Sequence, residues 1–292
     1  MSDVLIYEVG PRDGLQNEKS IIPTDAKIAL IDALSGAGFT KIEATSFVSP
    51  KWVPQLADAA EVMAGITRDP AVTYAALTPN IKGFERAVAA GVTEVAVFAA
   101  ASEGFSQKNI NCSIAESIER FKPLLQSATA SNIVVRGYVS CVVECPYEGA
   151  VQPESVKDVT QQLIDLGCYE VSLGDTIGAG TPSSIQKMLE EVLKSIPASK
   201  LAGHFHDTDN QAIDNVFASL EMGIRTFDSA VGGLGGCPYA PGAKGNVATG
   251  ELVDALEKRG WQTGIDLRQL SVAEQQIRAL VTGHMNDQEA AQ

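Results

Sequence analysis

Two of the three histidines in this chain lie one residue apart, at His204 and His206 in the stretch LAGHFHDT. Side chains alternate between the two faces of a strand, so both imidazoles would point to one face and Asp207 to the other. Two neighbouring imidazoles can bind a metal ion, although a hydrogen-bonded pair of histidines in the protein core would also explain the pattern. For Asp207 we expect a role in supporting the ligands or in anchoring the following loop.

Residues that could complete a metal site lie far away in the sequence. The stretch EVGPRDGLQNE ends a β-rich run and carries Arg12 and Asp13 into a first loop, although Asp-Gly is also typical of an ordinary turn. The stretch VGGLGGCPYAPGAKGNVATG is a glycine- and proline-rich loop that contains Cys237 and Asn246.

The types of these residues indicate which metal they would bind. One Asp, two His and one Asn, without a thiolate, favour Mg²⁺ or Mn²⁺ over structural Zn²⁺. An octahedral cation would keep two positions open for substrate. Such a cation could chelate an α- or β-hydroxy acid, polarising its hydroxyl and holding the neighbouring carboxylate or carbonyl.

Eight β-rich runs recur at intervals of about thirty residues, with amphipathic stretches between them. We predict strands at residues 4–9, 41–45, 72–77, 94–98, 133–140, 170–173, 201–205 and 226–231. Helix starts are predicted where Ser113 and Glu116 have capping-box spacing and where Thr181 precedes Pro182.

Eight β-α units predict an α/β fold of the (β/α)8 TIM-barrel type, with a C-terminal helical extension. In a TIM barrel the polar residues at the strand ends would meet at one mouth, and strands one and seven would be separated only by strand eight. A doubly wound open sheet is the alternative, but it would not require polar residues at strand ends along the whole chain. We expect one domain over residues 1–292, with a frayed tail after about residue 283.

Composition narrows the class of protein. The chain has 45% hydrophobic and 20% charged residues, and no apolar run is long enough to span a bilayer. A formal net charge of −14 argues against a nucleic-acid partner, since such surfaces are usually basic. The five cysteines are scattered and form no C-x-x-C pair, and no targeting segment is evident at the N-terminus, so we expect a cytoplasmic protein.

Eight stretches of the chain resemble the 3-hydroxy-3-methylglutaryl-CoA lyase family. They are VGPRDGLQNEK, EATSFVSPKWVPQ, NINCSI, RGYVSC, CPYEG, SLGDTIG, GHFHDT and GLGGCPYAPGAKGN, in order from about residue 7 to about residue 264. R-D-G and H-x-H-D are shared with related Claisen-type enzymes, whereas the cysteine loop is typical of the lyases. The resemblance implies a metal-dependent barrel that splits 3-hydroxy-3-methylglutaryl-CoA into acetyl-CoA and acetoacetate.

The resemblance also implies roles for individual residues. The implied metal ligands are Asp13, His204, His206 and Asn246. The implied catalytic residues are Arg12, Glu43, Asp175, His204 and Cys237, and the implied substrate contacts are Arg12, Gln16 and Ser172. Cleavage places negative charge at both ends of the broken bond, so the dication would stabilise the alkoxide and Arg12 the enolate oxygen. Cys237 could exchange the proton, or it could be a small residue packed in a turn.

The family resemblance suggests an acyl-CoA substrate and a homodimer. Lysines that could bind the CoA phosphates are Lys19, Lys51, Lys108 and Lys244. Asp209, Asn210 and Glu144 differ from many family members, so a lyase for a related 3-hydroxyacyl-CoA is an alternative. A condensing synthase of the isopropylmalate, homocitrate or citramalate type is less favoured, because those enzymes usually have C-terminal domains and we do not expect their last loop to carry a cysteine like Cys237. A non-catalytic CoA- or metal-binding barrel is disfavoured, because every expected ligand is present.

Overall fold

The structure is a computed structural model that describes residues 3–235 and 245–289. Eight parallel strands of the described chain form one closed barrel, in which β10 pairs with β1. The barrel strands are β1 (Leu5–Glu8), β2 (Lys41–Ser46), β3 (Thr73–Leu77), β4 (Glu94–Ala100), β5 (Val134–Ser140), β8 (Glu170–Asp175), β9 (Leu201–Phe205) and β10 (Thr226–Ser229). Two further strands, β6 (Glu144–Cys145) and β7 (Gly149–Ala150), form a short antiparallel hairpin after β5. The predicted TIM barrel is therefore confirmed.

Helices follow the strands around the outside of the barrel. They are α1 (Thr24–Gly36), α2 (Ala59–Gly65), α3 (Ile81–Ala89), α4 (Glu103–Ile110), α5 (Ile114–Ala130), α6 (Pro153–Leu166), α7 (Pro182–Val192), α8 (Ala212–Glu221), α9 (Thr249–Lys258) and α10 (Leu267–Glu289). The predicted capping box between Ser113 and Glu116 starts α5, and Thr181 caps α7 with Pro182 at its first position. The helix α10 is the predicted C-terminal extension and packs against α1. None of the described helices is long and apolar enough to cross a membrane.

The second strand has a feature that concerns the site. We predicted this strand over residues 41–45, and β2 spans Lys41–Ser46, so Glu43 lies inside the strand. The pairing of β2 with β3 shifts register between Glu43 and Thr45, so Ala44 is an extra residue that forms a bulge. Bulges are frequent beside active sites, where they change the direction of a side chain.

The two faces of the barrel strands differ in chemistry. Apolar side chains such as Val95, Val97 and Val139 are completely buried in the main hydrophobic core. Charged residues in the same strands are equally buried, among them Arg136 and Asp228. Branched apolar residues usually dominate the interior of a TIM barrel, so this polar interior requires an explanation.

Candidate active site

Three of the predicted metal ligands meet at the barrel mouth formed by the carboxyl ends of the strands. Asp13 lies in a π-helical turn, Gly10–Gly14, that follows β1, while His204 lies in β9 and His206 directly follows it. One ligand atom from each of the three residues lies within 4.8 Å of the others. The two imidazole rings are 5.5 Å apart between centroids, as expected for side chains on one face of a strand.

Asn246 is brought to the same place by backbone pairing. The segment after the glycine-rich loop forms an isolated antiparallel bridge in which Asn246 lies opposite His206. The Asn246 side chain donates from Nδ2 to Oδ2 of Asp13 over 2.8 Å. Gly235 packs so closely here that a Cβ atom would lie 2.4 Å from that Nδ2 atom, and its φ of +102° also favours glycine. All four predicted ligands are therefore neighbours in the structure.

The chemistry of this group suits a divalent cation. The charges of Arg12 and His204 hold the pKa of Asp13 below its ordinary value, although burial acts in the opposite direction. Burial, assisted by the charge of His204, lowers the pKa of His206 to about 4, so its imidazole is neutral as a metal ligand must be. The buried Nδ1 atom of His206 has no hydrogen-bond partner within the described parts of the chain. The anionic carboxylate of Asp13 and the neutral imidazole of His206 suit a divalent cation.

His204 is oriented by a carboxylate below it. Its Nδ1 atom lies 3.1 Å from Oδ2 of Asp228, and its Nε2 atom lies 3.9 Å from Oδ2 of Asp13. Burial lowers the pKa of His204, but the hydrogen bond and charge of Asp228 outweigh that effect and raise it. A metal-binding histidine usually donates its second N–H to such a partner, which leaves the other nitrogen for the metal.

Arg12 connects the metal ligands to a buried acid. Its Nη1 atom donates to Oδ1 of Asp13, and its Nε atom donates to Oε2 of Glu43, both over 2.6 Å. These two carboxylates raise the pKa of Arg12 against the effect of burial. Since the side chain is only 7% exposed and is paired with two carboxylates, the guanidinium is held in one position at the mouth.

The two predicted acids have different surroundings. Glu43 is completely buried, and its Oε1 atom has no partner among the residues that the structure describes. Burial raises the pKa of Glu43, although Arg12 opposes the shift. Asp175 accepts hydrogen bonds from the backbone of Ala179 and Gly180, at 3.2 and 2.8 Å, and burial raises its pKa to about 6. In this structure Asp175 therefore shapes the loop after β8.

The remaining predicted residues are distributed around this centre. Ser172 is buried in β8 and donates to Oδ2 of Asp228 over 2.7 Å, while Gln16 is half-buried just after the π-helical turn. Asp207 accepts from the backbone N–H of Ala212 at the start of α8, so the expected loop-anchoring role is confirmed.

The lysines Lys19, Lys51 and Lys108, which were predicted to bind the CoA phosphates, are exposed. Cys237 and Lys244 lie outside the described residues.

Several residues that contact the site were missed by the sequence analysis. Asp228, Arg136 and Tyr138 lie inside strands, whereas only strand ends were searched. A signal was present, because VVRGYVS and TFDSA place charged residues within strands of a barrel that is expected to be apolar on both faces. A search for charged residues at alternate positions inside the predicted strands would have identified Arg136 and Asp228.

A closed eight-stranded α/β barrel with an Asp-His-His group and a fixed arginine at this mouth is the arrangement expected of a metal-dependent barrel enzyme. The chain belongs to the HMGL-like family, which matches residues 3–277. The resemblance found in the sequence motifs is therefore confirmed.

Similar proteins have closely related names. The Mus musculus protein "3-hydroxy-3-methylglutaryl-CoA lyase, cytoplasmic" is 61% identical, over 90% of this chain and 77% of its own length. The solved HMG-CoA lyase of Brucella melitensis is 58% identical with a TM-score of 0.95, covering 97% of this chain and 100% of that one. An HMG-CoA lyase of Acinetobacter baumannii, solved with coenzyme A and 3-methylmalate, is 40% identical with a TM-score of 0.91, covering 96% of this chain and 91% of that one.

Proposed function

We propose that this protein is a carbon-carbon lyase that cleaves 3-hydroxy-3-methylglutaryl-CoA to acetyl-CoA and acetoacetate. The observation that carries the proposal is the meeting of Asp13, His204, His206 and Asn246 beside a buried, ion-paired Arg12. Oxygen and imidazole ligands without thiolate favour Mg²⁺ or Mn²⁺ at this site. The high identity to proteins named as lyases for this substrate supports the same conclusion.

The reaction breaks the bond between C2 and C3 of the acyl group. The C3 hydroxyl loses its proton and becomes the ketone of acetoacetate, and C2 keeps the bonding electrons as a thioester enolate. A divalent cation held by Asp13, His204, His206 and Asn246 would polarise the C3 hydroxyl and its neighbouring oxygen. Arg12 can donate to the enolate oxygen, and its bonds to Asp13 and Glu43 hold the donor in place before charge develops. Protonation of C2 then gives acetyl-CoA.

We assign to Cys237 the transfer of the proton that leaves the C3 hydroxyl and of the proton that C2 receives. The loop that carries it starts and ends at the site, because the backbone N–H of Asn246 donates to the carbonyl of Leu234 over 3.3 Å. Cys237 follows Leu234 by only three residues in the sequence. A thiol can act as a general acid or base when its surroundings bring its pKa near the working pH.

The substrate's acyl group has one specific alternative. Glu144 is exposed in β6, and its negative charge contributes to the raised pKa of Asp175. A negative charge that acts on Asp175 can change which acyl group is accepted, so a related 3-hydroxyacyl-CoA is the second candidate substrate. For either substrate, the lysines proposed for the CoA phosphates are Lys19, Lys51, Lys108 and Lys244.

We also propose that the chain is a single-domain, cytoplasmic homodimer. The continuous barrel supports one domain, and the five cysteines are scattered along the sequence without a C-x-x-C pair, as is typical of proteins in a reducing compartment. Light scattering tests the dimer, cell fractionation tests the compartment, and a single cooperative unfolding transition tests the domain.

The function is tested with purified protein from which metal has been removed. The protein is incubated with 3-hydroxy-3-methylglutaryl-CoA, with and without Mg²⁺ or Mn²⁺, and the release of acetyl-CoA and acetoacetate is measured. We expect both products only with metal. Absence of both products, with Mn²⁺ bound, would exclude this substrate, and a panel of longer and shorter 3-hydroxyacyl-CoA thioesters would then test the alternative.

A further inference from the structure

Arg136 is a completely buried arginine inside the barrel, below the metal ligands. Its guanidinium donates to Glu170 over 2.8 Å, to Asp228 over 2.7 Å and to the Tyr138 hydroxyl over 3.0 Å. The guanidinium also lies over the ring of Tyr7, 4.1 Å from its centroid. Arg136 thus uses all three of its nitrogens in defined contacts.

One set of contacts leads from Arg136 to the metal ligands. Asp228 receives Arg136 on Oδ1, while its Oδ2 atom meets Nδ1 of His204 at 3.1 Å and the hydroxyl of Ser172 at 2.7 Å. Asp228 and His204 are direct neighbours in the pairing of β10 with β9, so the sheet itself holds them together. When Nδ1 of His204 donates to Asp228, Nε2 is left facing Asp13, at 3.9 Å from its Oδ2 atom.

A second set of contacts leads from Arg136 to Arg12. The Tyr138 hydroxyl accepts from Arg136 and lies 3.2 Å from Oε2 of Glu43. The same Oε2 atom accepts from Nε of Arg12 over 2.6 Å. Arg136 and Arg12 are therefore joined by one hydroxyl and one carboxylate.

Stability alone does not explain this array. Buried ion pairs seldom stabilise a protein more than well-packed apolar residues would, because each charge must be removed from water. Such pairs are retained where they hold groups in a defined geometry, and this array reaches both the metal ligands and the catalytic arginine. We propose that Arg136 is a positioning residue, which orients His204 through Asp228 and Arg12 through Tyr138 and Glu43.

The proposal gives Ser172 a new role. Its hydroxyl is completely buried and bonded to Asp228, so it belongs to the positioning array in place of the substrate contact that the family resemblance implies. Ser172→Ala should therefore weaken the affinity for Mn²⁺ in the absence of substrate. A loss confined to the KM for substrate, with normal Mn²⁺ affinity, would return Ser172 to the substrate site.

The contact to His204 is tested with Asp228→Asn, which keeps the shape of the side chain and removes its charge. We expect the dissociation constant for Mn²⁺, measured by titration calorimetry without substrate, to rise about 10- to 100-fold. The matched control is Glu94→Gln. Glu94 is a completely buried acid bonded to Tyr7, Lys41 and Tyr169 at the amino end of β4. The control should change the midpoint of unfolding and leave Mn²⁺ affinity unchanged.

The contact to Arg12 is tested with Tyr138→Phe, which removes one hydroxyl. We expect kcat to fall about 10-fold, since one buried hydrogen bond orients Glu43 and hence Arg12, while Mn²⁺ affinity stays normal. Tyr169→Phe is the matched control, because its hydroxyl donates to the buried Glu94 over 2.8 Å, away from the site. Its kcat should equal that of the wild type.

Arg136→Lys keeps the positive charge but loses the planar set of guanidinium donors. This variant should therefore show both a weaker affinity for Mn²⁺ and a lower kcat. If that variant does not fold, Asp228→Asn and Tyr138→Phe decide the proposal. Normal Mn²⁺ affinity in Asp228→Asn overturns the connection to His204, and normal kcat in Tyr138→Phe overturns the connection to Arg12. Equal losses of Mn²⁺ affinity in Glu94→Gln and of kcat in Tyr169→Phe would show that the contacts of Arg136 serve stability alone. The kcat test rests on the proposed function, whereas the Mn²⁺ titrations do not, so the two failures can be distinguished.

Discussion

The Nη1 atom of Arg12 lies 2.6 Å from Oδ1 of Asp13, so two residues that are adjacent in sequence form one ion pair at the barrel mouth. In a strand, adjacent side chains would point to opposite faces. The π-helical turn Gly10–Gly14 removes this constraint, because the carbonyl of Val9 accepts from the backbone of Arg12, Asp13 and Gly14. Such turns are frequent at functional sites. The turn therefore places a cationic donor directly beside a metal ligand.

The ion pair leads to a prediction for Arg12→Met. We expect kcat to fall by about 10²-fold or more, the scale seen when one donor to a developing negative charge is removed. Mn²⁺ affinity should change much less, because Asp13 and both histidines remain. Steady-state kinetics and calorimetry measure the two effects. Arg225→Met is the control, since Arg225 donates to the backbone carbonyls of Leu220 and Ile224 before β10. An unchanged kcat in Arg12→Met would exclude the proposed role.

Removal of a ligand should separate metal binding from folding. Asp13→Ala and His206→Ala each take one donor from the site, so we expect Mn²⁺ affinity and activity to fall sharply. The barrel should remain folded, because neither side chain belongs to the main apolar core. Circular dichroism and calorimetry test this outcome. His284→Ala, which changes the third histidine of the chain, should bind Mn²⁺ normally, and full activity of either ligand variant without metal would refute the assignment.

Cys237→Ala distinguishes the two interpretations of the loop cysteine. A residue that exchanges protons should lower kcat when it is replaced and leave the unfolding midpoint unchanged. Replacement of a packing residue should lower the unfolding midpoint and leave kcat unchanged. Cys168→Ala is the comparison, because Cys168 is buried in the core and burial raises its pKa to about 12. That variant should lose stability and keep its kcat.

Glu8 predicts a pH dependence of stability that differs from that of most acids. The Oε1 atom of Glu8 accepts hydrogen bonds from the backbone N–H groups of Gly10 and Val231. Its Oε2 atom lies 2.7 Å from the Thr249 hydroxyl, and that hydroxyl lies 2.8 Å from the hydroxyl of Ser229. Burial raises the pKa of Glu8 from 4.5 to about 7. The folded state thus binds the proton more tightly than the unfolded state does, so this stabilising contribution is complete below pH 4.5 and is lost as the pH rises to 7.

Glu8→Gln isolates this contribution, because an amide can keep the same acceptor and donate to Thr249 at every pH. The stability of the variant relative to the wild type should rise between pH 5 and pH 8, by at most about 3 kcal/mol. Denaturant unfolding at several pH values measures the difference. Glu251→Gln, an exposed change in α9, should give a curve parallel to that of the wild type. A parallel curve for Glu8→Gln would contradict the prediction.

The secondary structure and the candidate site residues of this protein can be predicted from short stretches of its sequence. Recurrent strand and helix patterns predict the barrel, since each pattern reflects which face of one element is buried. The short motifs R-D-G and H-x-H, together with Asn246 in its loop, predict the metal ligands without knowledge of their contacts. The eight predicted strands are confirmed by the structure, and the four predicted ligands lie next to one another in it.

The partners of buried charges were decided only by the tertiary structure. Asp13 and Asn246 are 233 residues apart and Arg136 and Asp228 are 92 apart, yet both pairs are in hydrogen-bond contact. No local pattern specifies such a pair, because its partners meet only after the sheet closes and sets the register of neighbouring strands. The bulge at Ala44 and the π-helical turn were also not predicted, since both depend on how the strand ends pack at the mouth. The types and spacing of the residues therefore predict which groups take part in the chemistry, whereas closure of the barrel sets which buried charges contact those groups.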